Sequence, residues 1–271
     1  MRLRSSEWAL IAYFAYTFLL AAIRIPASAW KAALVLALVT ALLAMLARSA
    51  SVARDLAPVL FTLAAFRQMD WFAPVLQDHH LERVWIVWDR ALLDHYHLRA
   101  AIESLGLAGP AYLELCYLLV YGAAPIAVAI LFRQGARARV DTWWLAYLAG
   151  TLGAYALFPY FPSDPPRTVF PGADGPHVTT FLRSLNLWIV GNYGIHTSVF
   201  PSAHVSSVFS AAWGLLAALP SRRRFGLGMA IYGASVAIAT IYGRYHYAAD
   251  VAAGLAASGL AVVALLAARR K

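Results

Sequence analysis

Apolar residues run through this chain in long blocks separated by short polar stretches. A helix that crosses a bilayer needs about 20 mainly apolar residues. Eight blocks approach that length: 8–24, 31–47, 55–76, 109–132, 142–160, 200–219, 225–243 and 247–268. The pattern predicts an all-α, polytopic bundle of membrane helices. Arg67 and Asp70 interrupt the third block, which makes it the weakest span. Residues 81–105 are patterned differently. Leu81, Val84, Trp85, Val87, Trp88, Leu92 and Leu93 mix with Glu82, Arg83, Asp89, Arg90 and Asp94. That mixture predicts an amphipathic helix lying in the membrane interface. The longest connection, 161–199, is rich in Pro, Gly and Asp, and a loop of this length is usually functional or disordered.

Composition and charge sharpen the class. Hydrophobic residues make up 62% of the chain and charged residues 13%, against roughly 25% charged in a soluble domain. The net charge of +9 raises nucleic acid as a partner. No basic stripe or nucleic-acid motif accompanies it, and the arginines sit beside apolar blocks, so membrane lipid is the expected anionic neighbour. With eight spans, one side holds thirteen of the 22 Lys and Arg residues, including Arg222, Arg223, Arg224 and the terminal Arg269, Arg270 and Lys271. The positive-inside rule then places both termini in the cytoplasm, with the plasma (inner) membrane as the expected location. Ala27-Ser28-Ala29 also fits a signal-peptide cleavage site, an alternative that leaves the later spans in the same orientation. Cys116 stands alone in an apolar run and reads as a small buried residue.

Two polar islands stand out: Pro201-Ser202-Ala203-His204 and Arg244-Tyr245-His246-Tyr247-Ala248-Ala249-Asp250. Each sits at the mouth of an apolar block, where ionisable groups are costly and functional by default. His204 and His246 are 42 residues apart in sequence, room for two crossings and a tight turn. Both islands therefore fall at one membrane face, with the loop that bears Arg167. His246 and Asp250 are four apart and share a helix face. The carboxylate can accept the Nδ1–H of the imidazole and leave Nε2 free as a nucleophile. Pro201 suits a first helical position, and the helix N-terminus there attracts phosphate. Ser202 adds a hydroxyl, while Arg167 and Arg244 offer planar forks for phosphate oxygens. Together these residues form a site for phosphoryl transfer without a metal or other cofactor.

At these residues the chain resembles the type 2 phosphatidic acid phosphatase superfamily, whose signatures are K-x6-R-P, P-S-G-H and S-R-x5-H-x3-D. Pro201-Ser202-Ala203-His204 matches the second with Ala in place of Gly, and His246 with Asp250 matches the end of the third. The H-Y-x-x-D form and Asp164-Pro165-Pro166-Arg167 look like the branch of inositol phosphorylceramide and sphingomyelin synthases. The resemblance covers roughly 110–268. Residues 1–54 are expected to be additional spans and 55–271 the catalytic domain with a six-helix core. Two departures stand. No K-x6-R-P occurs, so Arg167 is its stand-in. Thr240 occupies the usual position of the third signature's Arg. Arg244 is only two residues before His246, which on a continuous helix points it about 200° away.

The resemblance implies that His246 attacks phosphorus, Asp250 orients it, and His204 protonates the leaving oxygen and then activates the acceptor. Arg167, Ser202 and Arg244 would hold phosphate oxygens. The implied substrate is a phosphorylated lipid. A lipid acceptor hydroxyl makes the protein a headgroup transferase and water makes it a phosphatase. Glu114 is expected to pair with Arg67 as a structural contact. His79, His80, His95 and His97 lack zinc-site spacing, and Asp174, His177, Asn192 and His196 read as solvated loop residues. Competing classes are a haem-bearing bundle and a transporter, but the histidines cluster with arginines at helix ends, no repeat is visible, and few helices are broken.

Overall fold

The computed structural model describes residues 2–74, 76–172 and 174–270. Val75, at the end of the third apolar block, and Lys271, one of the terminal charges, lie outside the described residues. Among the described residues the chain is entirely helical. Its α-helices are α1 (Ser5–Arg24), α2 (Ala29–Leu46), α3 (Val52–Met69), α4 (His80–Arg90), α5 (Leu98–Glu103), α6 (Ala108–Leu119), α7 (Ala123–Arg133), α8 (Val140–Leu157), α9 (Pro166–Val169), α10 (Phe181–Tyr193), α11 (Ala203–Ala218), α12 (Arg224–Tyr242) and α13 (Ala248–Arg269).

Five stretches are long and apolar enough to cross a membrane: Ser5–Arg24, Pro26–Leu46, Ala108–Arg133, Arg224–Tyr242 and Ala248–Arg269. The chain is therefore a polytopic integral-membrane bundle. The other three expected spans are α3, α8 and α11. They run alongside these five but are more polar or shorter, and α8 is enclosed by protein along most of its length. Ala108–Arg133 is one span in two pieces. Pro125 has no N–H to offer the Tyr121 carbonyl, and the helix tightens to a 3₁₀ turn at Val120–Gly122.

Packing centres on α8, α11, α12 and α13. Small residues let α8 and α11 approach closely. Ser206 Oγ donates to the Gly150 carbonyl at 2.9 Å. A Cβ at Gly150 would stand 1.9 Å from Ser210 Oγ, so a side chain there would force the helices apart. Far from the polar islands, the starts of α1, α3 and α8 are tied by charge. Asp55 is buried between Arg4 at 2.8 Å and Arg137 at 2.6 Å, and Glu7 takes Arg54 at 2.6 Å. At the opposite face Arg24 donates to the Pro159 carbonyl at 2.6 Å. α1 thus shares the common core, whereas α2 buries only Ala32, Val39 and Leu43.

The segment expected to lie in the interface becomes α4, a π-helical turn and α5. Its inward face mixes acids with apolar residues, among them Trp85, Ile86 and Leu93. Glu82 and Asp89 are buried against the bundle, while Val84, Val87 and Trp88 are exposed. The loop 161–199 is largely ordered, with α9 and α10 folded over the face that holds the islands.

Candidate active site

The two islands meet because the starts of α11 and α13 are stitched together. Ser202 N–H donates to the Asp250 carbonyl at 2.9 Å. A Cβ at Gly254 would lie 2.4 Å from the Ser202 carbonyl oxygen, so only glycine permits that approach. α11 starts two residues later than Pro201 suggests, at Ala203: Ser202 is the N-cap, its Oγ accepting from Val205 N–H at 3.4 Å. Ser202 is fully buried with its hydroxyl engaged in this cap, so the structure gives it a positioning task and no open face toward a phosphate.

Between α12 and α13 the chain reverses in five residues. Tyr245 N–H and His246 N–H both donate to the Thr240 carbonyl, at 2.9 and 3.1 Å. Arg244 takes a left-handed conformation with φ of 61°, which side chains rarely adopt. His246 therefore precedes the helix, yet its Nδ1–H donates to Asp250 Oδ2 at 3.2 Å. Tyr247 N–H donates to the same oxygen at 2.9 Å. His246 Nε2 and His204 Nδ1 lie 3.1 Å apart. Asp250 Oδ2 already accepts the Tyr247 N–H, so it forms the acceptor end of the chain. Asp250 takes the Nδ1–H of His246, whose Nε2 lone pair then accepts the Nδ1–H of His204. Residue 246 lies in the linker outside both spans. Burial, then Arg167, pushes its imidazole down to about 3 and keeps it neutral.

Arg167 sits on α9, held by its N–H to the Arg244 carbonyl at 3.3 Å. Its guanidinium lies 5.4 Å from the ring centre of Tyr245. Tyr245 in turn stacks on Tyr117 at 3.8 Å. Among the described residues this guanidinium meets no carboxylate and donates no hydrogen bond. It is a cation without a protein counter-ion beside two imidazoles.

Arg244 behaves differently. The helix break before α13 removes the geometric objection to its reaching the site. Its Nη1 nevertheless ends on Asp89 of α4 at 2.6 Å. It lines a cavity of about 440 Å³ together with Arg167 and Arg183. Arg183 went unrecognised in the sequence. It sits on α10, and Thr180 Oγ1 caps that helix by accepting the Arg183 N–H at 3.1 Å. The available signal was an arginine inside the apolar run Phe181–Val190.

Other expectations are corrected. Glu114 pairs with Arg183 at 3.0 Å, Asn186 at 2.7 Å and Tyr245 at 2.7 Å. Arg67 faces Asp70 and the Tyr193 and Gly194 carbonyls instead. Asp174 is buried on Arg90 at 3.1 Å. Glu82 pins the segment leading to Arg167 by accepting Asp164 N–H at 2.8 Å. Among the described residues no three His, Cys, Asp or Glu side chains gather as metal ligands.

No curated protein and no solved structure matches the chain. A family model described as the PAP2 superfamily matches residues 83–264, from α4 to the last turns of α13. That stretch is most of the chain and contains His204, His246, Asp250 and Arg167, so the protein belongs to the PAP2 superfamily, the type 2 phosphatidic acid phosphatase superfamily.

Proposed function

We propose that this protein is a membrane phosphotransferase that moves the phosphoryl headgroup of a lipid through a phosphohistidine on His246, without a metal. One observation carries the reading. The uncompensated Arg167 guanidinium acts electrostatically on a neutral His246 whose Nε2 lone pair is directed by Asp250. A phosphoryl group supplies the missing negative charge and an electrophile for that lone pair.

In the first step the Nε2 pair of His246 forms a bond to phosphorus. The bond from phosphorus to the lipid oxygen breaks, and His204, which takes up a proton from solvent as the phosphate anion binds, gives that oxygen the proton. Asp250 stabilises the positive charge that develops on His246, and Arg167 holds the equatorial oxygens as their charge rises. In the second step an acceptor hydroxyl attacks phosphorus and passes its proton to His204. The P–N bond breaks and its electron pair returns to His246. The favoured acceptor is a second lipid hydroxyl, on the strength of the H-Y-x-x-D and Asp164-Pro165-Pro166-Arg167 pattern. Water in the same position makes the reaction a hydrolysis. Charge bias supports cytoplasmic termini and a site on the opposite face, and the plasma (inner) membrane is the proposed location.

The test uses the full chain in proteoliposomes with EDTA present and a panel of phospholipids, with and without alcohol acceptors, read by mass spectrometry. Headgroup transfer is expected. Phosphate release alone would identify a phosphatase. Quenching in base should trap a phosphoenzyme, and His246→Ala should abolish it and cut turnover by more than about 10³-fold. A His246→Ala protein that turns over normally removes the nucleophile from the mechanism.

A further inference from the structure

Three arginines reach one cavity, and two of them arrive with a carboxylate attached. The cavity, about 440 Å³, is bounded by α9, α10 and the 243–247 turn, with Phe170 and Leu187 among its walls. Arg183 Nη1 donates to Glu114 Oε1 at 3.0 Å and to the Gly243 carbonyl at 3.1 Å. Arg244 Nη1 donates to Asp89 Oδ2 at 2.6 Å. These acids fix where each guanidinium stands. They do not exhaust it, because a guanidinium carries five N–H donors.

The Arg244 side chain is only 2% exposed, and its Nη2 has no hydrogen-bond partner among the described residues. The Oδ2 of Asp174 is 4.0 Å away, beyond hydrogen-bond reach, and Asp174 is already held by Arg90. A buried charged donor without an acceptor is costly. Nη2 itself is sealed behind the wall on the Asp174 side, but Arg244 also lines the open cavity, so a ligand oxygen that enters this wall would satisfy the donor. Arg167 belongs to the same wall and also adjoins Tyr245 and His246, so it borders both the cavity and the histidine pair.

We infer that this cavity is a second anion subsite, in which Arg183 and Arg244 hold a phosphate-like oxyanion on the same lipid headgroup, with Arg167 between it and the reacting phosphorus. The inference rests on the phosphotransferase reading and extends it to substrate class: a headgroup with two anionic groups. Three converging guanidinium forks match oxyanions better than hydroxyls. A cavity of this volume has room for a phosphorylated headgroup fragment.

The test titrates inorganic phosphate into the full chain in detergent by calorimetry. Two equivalents are expected. Arg183→Gln, made with Glu114→Gln so that no buried carboxylate is stranded, should weaken one equivalent at least tenfold. Arg167→Gln should weaken the other. A single equivalent that ignores the Arg183 change overturns the subsite. Lipid turnover then separates headgroup from free anion. The double variant should lower the kcat/KM ratio of a doubly to a singly phosphorylated lipid at least tenfold. A ratio that stays put while phosphate binding weakens overturns the headgroup assignment. Phosphoenzyme trapping depends on His246 and is scored separately. Its failure alongside two-site phosphate binding removes the catalytic reading but not the subsite.

Discussion

Asp250→Asn tests the charge at the base of the relay. Asp250 is fully buried, and its Oδ2 lies 3.2 Å from His246 Nδ1. When His246 bonds to phosphorus the imidazole becomes cationic, and that cation faces the carboxylate directly. With an effective dielectric of about 20, a unit charge pair at the 3.2 Å separation is worth about 5 kcal/mol. Asparagine keeps the shape but removes the charge. It also keeps the Ser202 N–H to residue 250 carbonyl bond, which is backbone. The rate of phosphoenzyme formation should therefore fall by about 10³- to 10⁴-fold. Rapid-quench single-turnover kinetics on the detergent-solubilised chain reads that step directly, and a melting curve checks that the bundle is intact. A folded variant within tenfold of the unaltered rate would mean that no cation develops beside Asp250, and the His246 mechanism would fail with it.

Further outcomes follow from the same geometry. Asp55→Ala removes a buried carboxylate shared by Arg4 and Arg137, whose own side chains reach water, and should lower stability by about 1–2 kcal/mol, seen as a drop in unfolding temperature with turnover per folded molecule retained. Gly254→Ala pushes a methyl group onto the Ser202 carbonyl. It should cost about 1–3 kcal/mol and, by displacing the start of α11, lower kcat as well; an enzyme with ordinary stability and rate would show that the α11–α13 contact is not needed. His246 stays neutral down to about 3 when folded, while the unfolded chain takes up its proton near 6.5. Stability should then decline as pH falls below 6.5, by about 1.4 kcal/mol per unit from this group. Calorimetric scans from pH 7 to 5 should show that decline, and His246→Gln should make it shallower by that amount.

Block length and spacing were enough to place His204 and His246 together, because a hairpin of two membrane crossings leaves little freedom in where its ends fall. Arg244 needed more. Its direction depends on where α13 begins and on a left-handed residue, neither of which apolar periodicity reports. α4 shows a different limit. Periodicity reveals two faces but does not say which one touches protein, and here Glu82 and Asp89 turn inward to hold Asp164 and Arg244 while Trp88 turns out. Arg183 was hidden because 161–199 reads as loop, although Thr180 three residues ahead is an N-cap signal. Glu114 announced a buried partner correctly, but a membrane carboxylate can pair with any cation the fold delivers, and α10 delivered Arg183 where Arg67 was expected.

The resting geometry also says which part of the site must move. His204 and His246 now bond to each other at 3.1 Å, and a phosphoryl group cannot occupy that gap. Attack needs phosphorus within about 3–3.5 Å of His246 Nε2, with a leaving oxygen between it and His204. Separating the helices would break the Ser202–Asp250 tie and the close contact at Gly254, so α11 and α13 are poor candidates for the motion. The His204 side chain is the cheaper element. It sits in the first turn of α11 with Tyr117 and Tyr121 beside it, at ring distances of 5.0 and 5.7 Å. The Tyr121 hydroxyl is 3.5 Å from His204 Nε2, a second partner already at hand for this imidazole. Tyr121 stands in the 3₁₀ break before Pro125, where the helix has already given up its regular ladder. The fold thus keeps His246, Asp250 and their backbone supports rigid and leaves the adjustment to one imidazole at a point where its neighbour's helix can yield.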